Sequence, residues 1–269
     1  MIRQIEMDKG VAKTFTWSAA VVVVGLLVAQ GFIMRFVPAP SPTLSAEELR
    51  EVFIDRRFAI QIGSIIQIIA WSFWATWGMV VTTFMRRMER GYPFLTYASI
   101  ALVGGGSVFF LLIPMTWAVC AYRADTMDPQ IIQFANDWVW FDWLFTWPPF
   151  AIWFFVIAAA IFKDHNVPTI YPRWVGYFNL WCGFLIFPAA LIVFWHDGPF
   201  AYNGVGAFWF PVVIFFGEIV VMIVVSLKVI NQQAAKLQAD AEAGVPGVAY
   251  AEVDPTRDRL AFAGPENSA

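Results

Sequence analysis

Six long apolar blocks decide what this chain can fold into: residues 17–37, 58–84, 94–121, 138–162, 174–195 and 206–229. Each is long enough to cross the hydrocarbon of a bilayer, which takes about 20 mostly apolar residues at about 1.5 Å of helix rise apiece. Transmembrane β-strands would instead show segments of about 10 residues alternating apolar and polar, and stretches such as residues 152–161 do not alternate. Only 14% of the residues are charged and 59% are hydrophobic, whereas a soluble domain carries about 25% charged residues. The chain therefore reads as an all-α membrane protein with six transmembrane helices. The first block exceeds the 7–15 apolar residues of a signal peptide and no small-x-small cleavage site follows it. It reads as a retained helix.

Charge sets the orientation. Arg3, Lys9, Lys13, Arg86, Arg87, Arg90, Lys163, Arg173, Lys228, Lys236, Arg257 and Arg259 fall on one side, and Arg35, Arg50, Arg56, Arg57 and Arg123 on the other. Positive residues favour the cytoplasm, so both termini are expected inside. In the first outer loop, Ser45 followed by Glu48 forms a capping-box pattern, and residues 46–57 read as a short amphipathic helix with Leu49, Val52 and Phe53 on one stripe. Residues 1–16 form a cytoplasmic N-terminus. Residues 17–229 form the transmembrane domain. Residues 230–244 extend the sixth helix until Gly244 and Pro246, and residues 245–269 read as a disordered tail. Cys120 and Cys182 lie about 18 Å apart in depth by helix rise, beyond the reach of a disulfide.

Ionisable residues inside spans are rare and need a reason. Glu218 falls near mid-depth in the sixth block and Asp142 near the outer end of the fourth. Gln61, Gln67 and Asn179 supply further polar groups, and Gln67 and Asn179 are candidate partners for Glu218. Two uses fit: a polar interior site, or hydrogen bonding between helices. Pro114, Pro148, Pro149, Pro188 and Pro211 lie roughly 7–15 Å in from the outer ends of four helices. Each removes a backbone hydrogen bond, so the four helices either splay into an outward-facing cavity or simply carry the prolines common in membrane helices. Trp147 and Trp181 are candidate lining residues, which completes the candidate ligand-binding set of Glu218, Asp142, Gln67, Asn179, Trp147 and Trp181. Gly104, Gly105 and Gly106 let a neighbouring helix approach. Trp17, Trp138, Trp174 and Trp195 fall where interfacial anchors belong.

Much chemistry has no carrier here. His165 and His196 fall on opposite sides, so no haem or histidine–carboxylate metal centre is expected. No nucleophile elbow, zinc-protease motif or nucleotide-binding glycine loop occurs. No catalytic residue, cofactor or metal is assigned, and no basic run suggests nucleic acid.

The runs Tyr171-Pro172-Arg173-Trp174-Val175-Gly176-Tyr177-Phe178-Asn179-Leu180-Trp181, Gly198-Pro199-Phe200-Ala201-Tyr202-Asn203-Gly204 and Ala207-Phe208-Trp209 resemble a group of uncharacterised polytopic bacterial inner-membrane proteins. The resemblance covers about the last third before the tail. It implies a bacterial inner-membrane location and carries no activity.

Three functions remain open. A helical bundle that binds or transports a small hydrophobic molecule leads. A non-catalytic subunit packing against other membrane chains comes second. A lipid-modifying enzyme using Asp142 and Glu218 comes third, and it requires the two carboxylates within about 6–10 Å. For the topology, reporter fusions after Glu89 and after Asp240 should read cytoplasmic and one near Met127 external. An external signal at Asp240 would contradict six spans.

Overall fold

The computed structural model describes residues 8–242, and they contain helices and no strand. Six stretches are long and apolar enough to cross a membrane: Lys9–Ile33, Arg57–Met88, Phe94–Tyr122, Pro129–Phe162, Arg173–Val193 and Gly198–Ala235. The protein is an all-α, multi-pass integral membrane protein. Its α-helices are α1 (Lys9–Leu26), α2 (Ala46–Asp55), α3 (Arg57–Ser72), α4 (Trp74–Met88), α5 (Phe94–Tyr122), α6 (Pro129–Leu144), α7 (Trp147–Phe162), α8 (Arg173–Leu185) and α9 (Phe210–Glu242).

Two spans begin earlier than hydropathy alone suggests, and capping is the reason. The Asp8 carboxylate accepts from the backbone N–H groups of Gly10 and Val11, so α1 starts well ahead of residue 17. Asp128 accepts from Gln130 N at 2.8 Å with Pro129 in the first turn, which starts α6 ahead of residue 138. At the other end α9 continues to Glu242. Gly244, Pro246, the expected tail and the first seven residues lie outside the described residues.

The short helix α2 forms as its capping box requires. Glu48 N donates to Ser45 Oγ at 3.3 Å, and Ser45 N donates back to Glu48 Oε2 at 2.8 Å. Its apolar stripe turns inward: Leu49 and Phe53 are buried, and α2 packs on α5 and α6. Long side chains tie it down further. Arg50 Nε donates to Ala124 O at 2.9 Å, Gln133 Nε2 to Leu44 O at 3.0 Å, and Arg57 pairs with Asp125 at 3.4 Å. A single turn at Arg56 leads from α2 into α3.

Helix α5 stands between α3, α4, α6 and α7. A Cβ at Gly106 would lie 2.9 Å from the Phe150 ring, so this glycine lets α7 press against α5. Gly104 and Gly105 meet nothing within 4 Å and serve no such contact.

The prolines act unequally. Pro114 sits inside α5, which runs unbroken. Pro148 and Pro149 restart the fourth span as α7 after a break at Phe145 and Thr146. Pro188 opens the 3-10 segment Phe187–Val193, and Pro211 follows the π-helical segment Val205–Trp209. A further break, at Phe73 between α3 and α4, involves no proline. There the carbonyl of Phe73 accepts from Thr76 Oγ1 at 2.7 Å and from Ser18 Oγ at 3.4 Å. Both cysteines are buried free thiols.

Hydrogen bonds from Ser45 hold the Glu48 carboxyl below its ordinary value of 4.5. A carboxyl lowered in the folded state stabilises at pH above its unfolded value, and that stabilisation is lost as pH falls through the folded one. Hydrogen exchange of α2 amides, corrected for intrinsic rates, should therefore show full protection at neutral pH and loss on acidification below about pH 4. Glu48→Gln should exchange faster already at neutral pH; equal protection in both proteins would deny the cap its role.

Candidate functional site

Three irregular segments meet in the half of the bundle that carries α2. They are the break between α6 and α7, the 3-10 segment after α8, and the π-helical entry to α9. A cleft of about 30 Å³ lies among them, lined by Trp143, Leu144, Trp147, Phe150, Ile186, Ala189, Pro211 and Phe215. Its lining comes from the spans disturbed by Pro148, Pro149, Pro188 and Pro211, with Phe110 of the unbroken α5 closing one wall. A space of this size admits one or two water molecules.

Beneath the cleft the bundle is filled by aromatic rings. Trp74 is the hub. It stacks on Phe215 at 5.8 Å and meets Phe110 at 5.0 Å, Trp77 at 5.2 Å, Trp153 at 5.4 Å and Phe150 at 5.8 Å, mostly edge to face. Trp71 stacks on Phe110 at 3.7 Å. Trp153 Nε1 donates to Ser99 Oγ at 2.8 Å, which in turn meets Thr82 Oγ1 at 2.7 Å. Trp71, Trp74, Trp77 and Trp153 are thus core residues.

Glu218 follows Phe215 by about one turn of α9. It is 0% exposed, and among the described residues neither carboxylate oxygen has a hydrogen-bond partner. Asn179 lies nearby on α8: its Nδ2 donates to Val175 O at 3.0 Å and contacts Met222 Sδ at 3.6 Å, one turn along α9 from Glu218. Asn179 Oδ1 is likewise unpartnered. Further down the same face of α9, Ser226 meets the Tyr171 hydroxyl at 2.7 Å. Burial pushes that hydroxyl upward; the Ser226 bond opposes this and the Glu218 charge adds to it. Glu218, Asn179, Ser226 and Tyr171 form one polar file between α8 and α9.

Gln67 stands apart from that file. The Trp74–Phe215 stack fixes the register. Gln67 lies about 10 Å toward the α2 end from Trp74, while Glu218 lies about 4.5 Å in the opposite sense from Phe215. The expected Gln67–Glu218 hydrogen bond does not form. Gln67 Nε2 contacts Met34 Sδ at 2.9 Å instead.

Asp142 is buried near the end of α6, with Oδ2 unpartnered. Thr146 Oγ1 donates to its backbone carbonyl at 2.5 Å across the α6–α7 break. Asp142 on α6 and Glu218 on α9 make no hydrogen bond to each other. Trp147 lines the cleft and meets Phe187 edge to face at 5.3 Å. Trp181 is 63% exposed on the outer surface of α8 and lies outside the cleft. Trp17, Trp138, Trp174 and Trp195 are exposed, as anchors require. No group of three or more His, Cys, Asp or Glu that could hold a metal occurs among the described residues.

Sequence reading missed what Tyr202 does. It stacks on Trp140 at 5.7 Å, donates to Asp137 Oδ1 at 3.3 Å and accepts from Asn136 Nδ2 at 3.4 Å. It therefore docks the turn between the fifth and sixth spans onto α6. The spacing Asn136-Asp137 with Trp140 one turn on was the available signal. Compared with protein-family models, with curated proteins and with solved structures, the chain matches none.

Proposed function

We propose that this protein binds or transports small, flat, largely apolar molecules that carry a hydrogen-bond donor. We place it in a bacterial inner membrane with both termini cytoplasmic, on the weight of its positive charges. The observation that carries the functional reading is Glu218: a fully buried carboxyl group with both oxygens unpartnered, below an aromatic-lined cleft. An ionised acid left alone near the bilayer centre costs at least about 2.5–3.5 kcal/mol. A donor delivered by a ligand offsets that cost, and the rings of Phe215, Phe150 and Trp74 give a flat molecule faces to stack on.

The cleft must open to take such a guest, since small-molecule sites run to about 300–1,000 Å³. The segments around it suit that movement. The 3-10 and π-helical stretches have poorer hydrogen-bond geometry than α-helix and often mark hinges. Asn179 extends the acceptor set along the polar file, and Ser226 with Tyr171 carries it toward the opposite end of the bundle.

The test compares 1-naphthol with naphthalene, two flat probes that differ by one hydroxyl donor. Each is titrated into protein in lipid nanodiscs and read by tryptophan fluorescence, with empty nanodiscs as the partition control. A hydrogen bond to a buried acceptor should make 1-naphthol bind about tenfold tighter. Glu218→Gln should keep the fold and part of that preference, because its amide oxygen still accepts, and Glu218→Leu should abolish it. An undiminished preference in Glu218→Leu would refute the reading.

A further inference from the structure

A second hollow, chemically unlike the first, opens at the α2 end where the first span stops. Its volume is about 340 Å³, and it is lined by Arg35 and Arg56 with Pro38, Ala39, Leu44 and Val52 among its walls. Two arginines thus border one space. Arg56 Nη1 donates to Arg35 O at 3.0 Å, which leaves its other N–H groups for something else. Arg35 makes no side-chain hydrogen bond, and neither arginine has an ion-pair partner among the described residues. The acids of α2 do not supply one. The Glu48 carboxylate is held by Ser45 N and Oγ at 2.8 and 2.9 Å, and Glu47, Glu51 and Asp55 form no ion pair with Arg35 or Arg56.

The backbone gives an independent sign. Arg35 has φ +55°, the left-handed conformation, and no other non-glycine among the described residues has a positive φ. It occupies the place after the first span where the chain reverses: Phe36 N donates to Gln30 O and Met34 N to Ala29 O, both at 2.8 Å. This is the position where helices ordinarily place glycine, because a side chain there is strained. A cation favours a helix C-terminus, but the last turn offers it places free of that strain. Retaining arginine at the strained position points to work for its side chain.

We infer that the Arg35–Arg56 hollow binds the phosphate or carboxylate group of an acidic ligand. Guanidinium groups match such oxyanions with paired N–H donors. Pro38, Ala39, Leu44 and Val52 offer apolar walls to whatever the anion is attached to. The first span ends at Ile33, so the hollow lies at headgroup depth, and the anion comes either from a phospholipid or from solution. This site is independent of Glu218, and its test uses different variants and probes.

Wild type, Arg35→Gly and Arg56→Gln are compared with two probes. Inorganic phosphate is titrated against chloride at constant ionic strength in detergent, with melting temperature as the readout. Retention of phosphatidylglycerol is measured by native mass spectrometry after extraction from phosphatidylcholine–phosphatidylglycerol vesicles. At least one probe should bind wild type about tenfold more tightly than either variant. Arg35→Gly should melt no lower than wild type, because glycine relieves the left-handed strain. A response to phosphate identifies a soluble anion as a sufficient ligand, and a response to phosphatidylglycerol alone identifies a headgroup. Equal binding of both probes by all three proteins, or full affinity in Arg35→Gly, would overturn the inference.

Discussion

Inside a bilayer no water is at hand to complete a backbone hydrogen bond, and each unsatisfied group costs several kcal/mol. At the breaks inside two of the spans, side-chain hydroxyls answer to that constraint. At Phe73 the carbonyl keeps a backbone bond from Trp77 N at 3.2 Å and also accepts from the hydroxyls of Thr76 and Ser18. At the α6–α7 break the Thr146 hydroxyl donates to the Asp142 carbonyl. Of the remaining departures from α-helix, the π-helical stretch Leu27–Ile33 closes the first span, whereas Phe187–Val193 and Val205–Trp209 sit with the α6–α7 break in the half of the bundle that carries α2. There they surround a cleft, the setting in which a membrane tolerates loosened backbone.

Packing beneath that cleft relies on rings. Lipid tails are as apolar as leucine, so helices in a membrane gain little from the hydrophobic effect and associate through close contact. Trp74 with Phe110, Phe150, Trp153 and Phe215 joins α4, α5, α7 and α9 in one cluster. Aromatic pairs contribute about 0.5–1.5 kcal/mol each beyond their buried area, so the cluster is well suited to hold the helices in register. The same register sets the depth of Glu218 and separates it from Gln67.

The architecture was legible because it depends on length and hydropathy, and the capping box of α2 because it depends on two residues at fixed spacing. The sides of the helices were not legible. In water, apolar faces point inward; in lipid, the outward faces are apolar too. Nothing in the chemistry of Trp71, Trp74 and Trp77 says that they are core while Trp181 is exposed. Proline was an equally partial guide: Pro114 leaves α5 intact, whereas Pro188 opens a 3-10 segment. Glu218 announced itself, since a lone mid-span acid stands out in any composition. The Arg35–Arg56 hollow did not, because a left-handed φ at a non-glycine residue leaves no trace in sequence.

The central claim is that an apolar guest can reach Glu218 through the cleft. Labelling with dicyclohexylcarbodiimide, a lipid-soluble carboxyl reagent, followed by peptide mass spectrometry tests this most directly. Glu218 should be modified in intact membranes, protected by 1-naphthol, and untouched by a water-soluble carbodiimide. An unlabelled Glu218, or labelling that 1-naphthol does not slow, would contradict it.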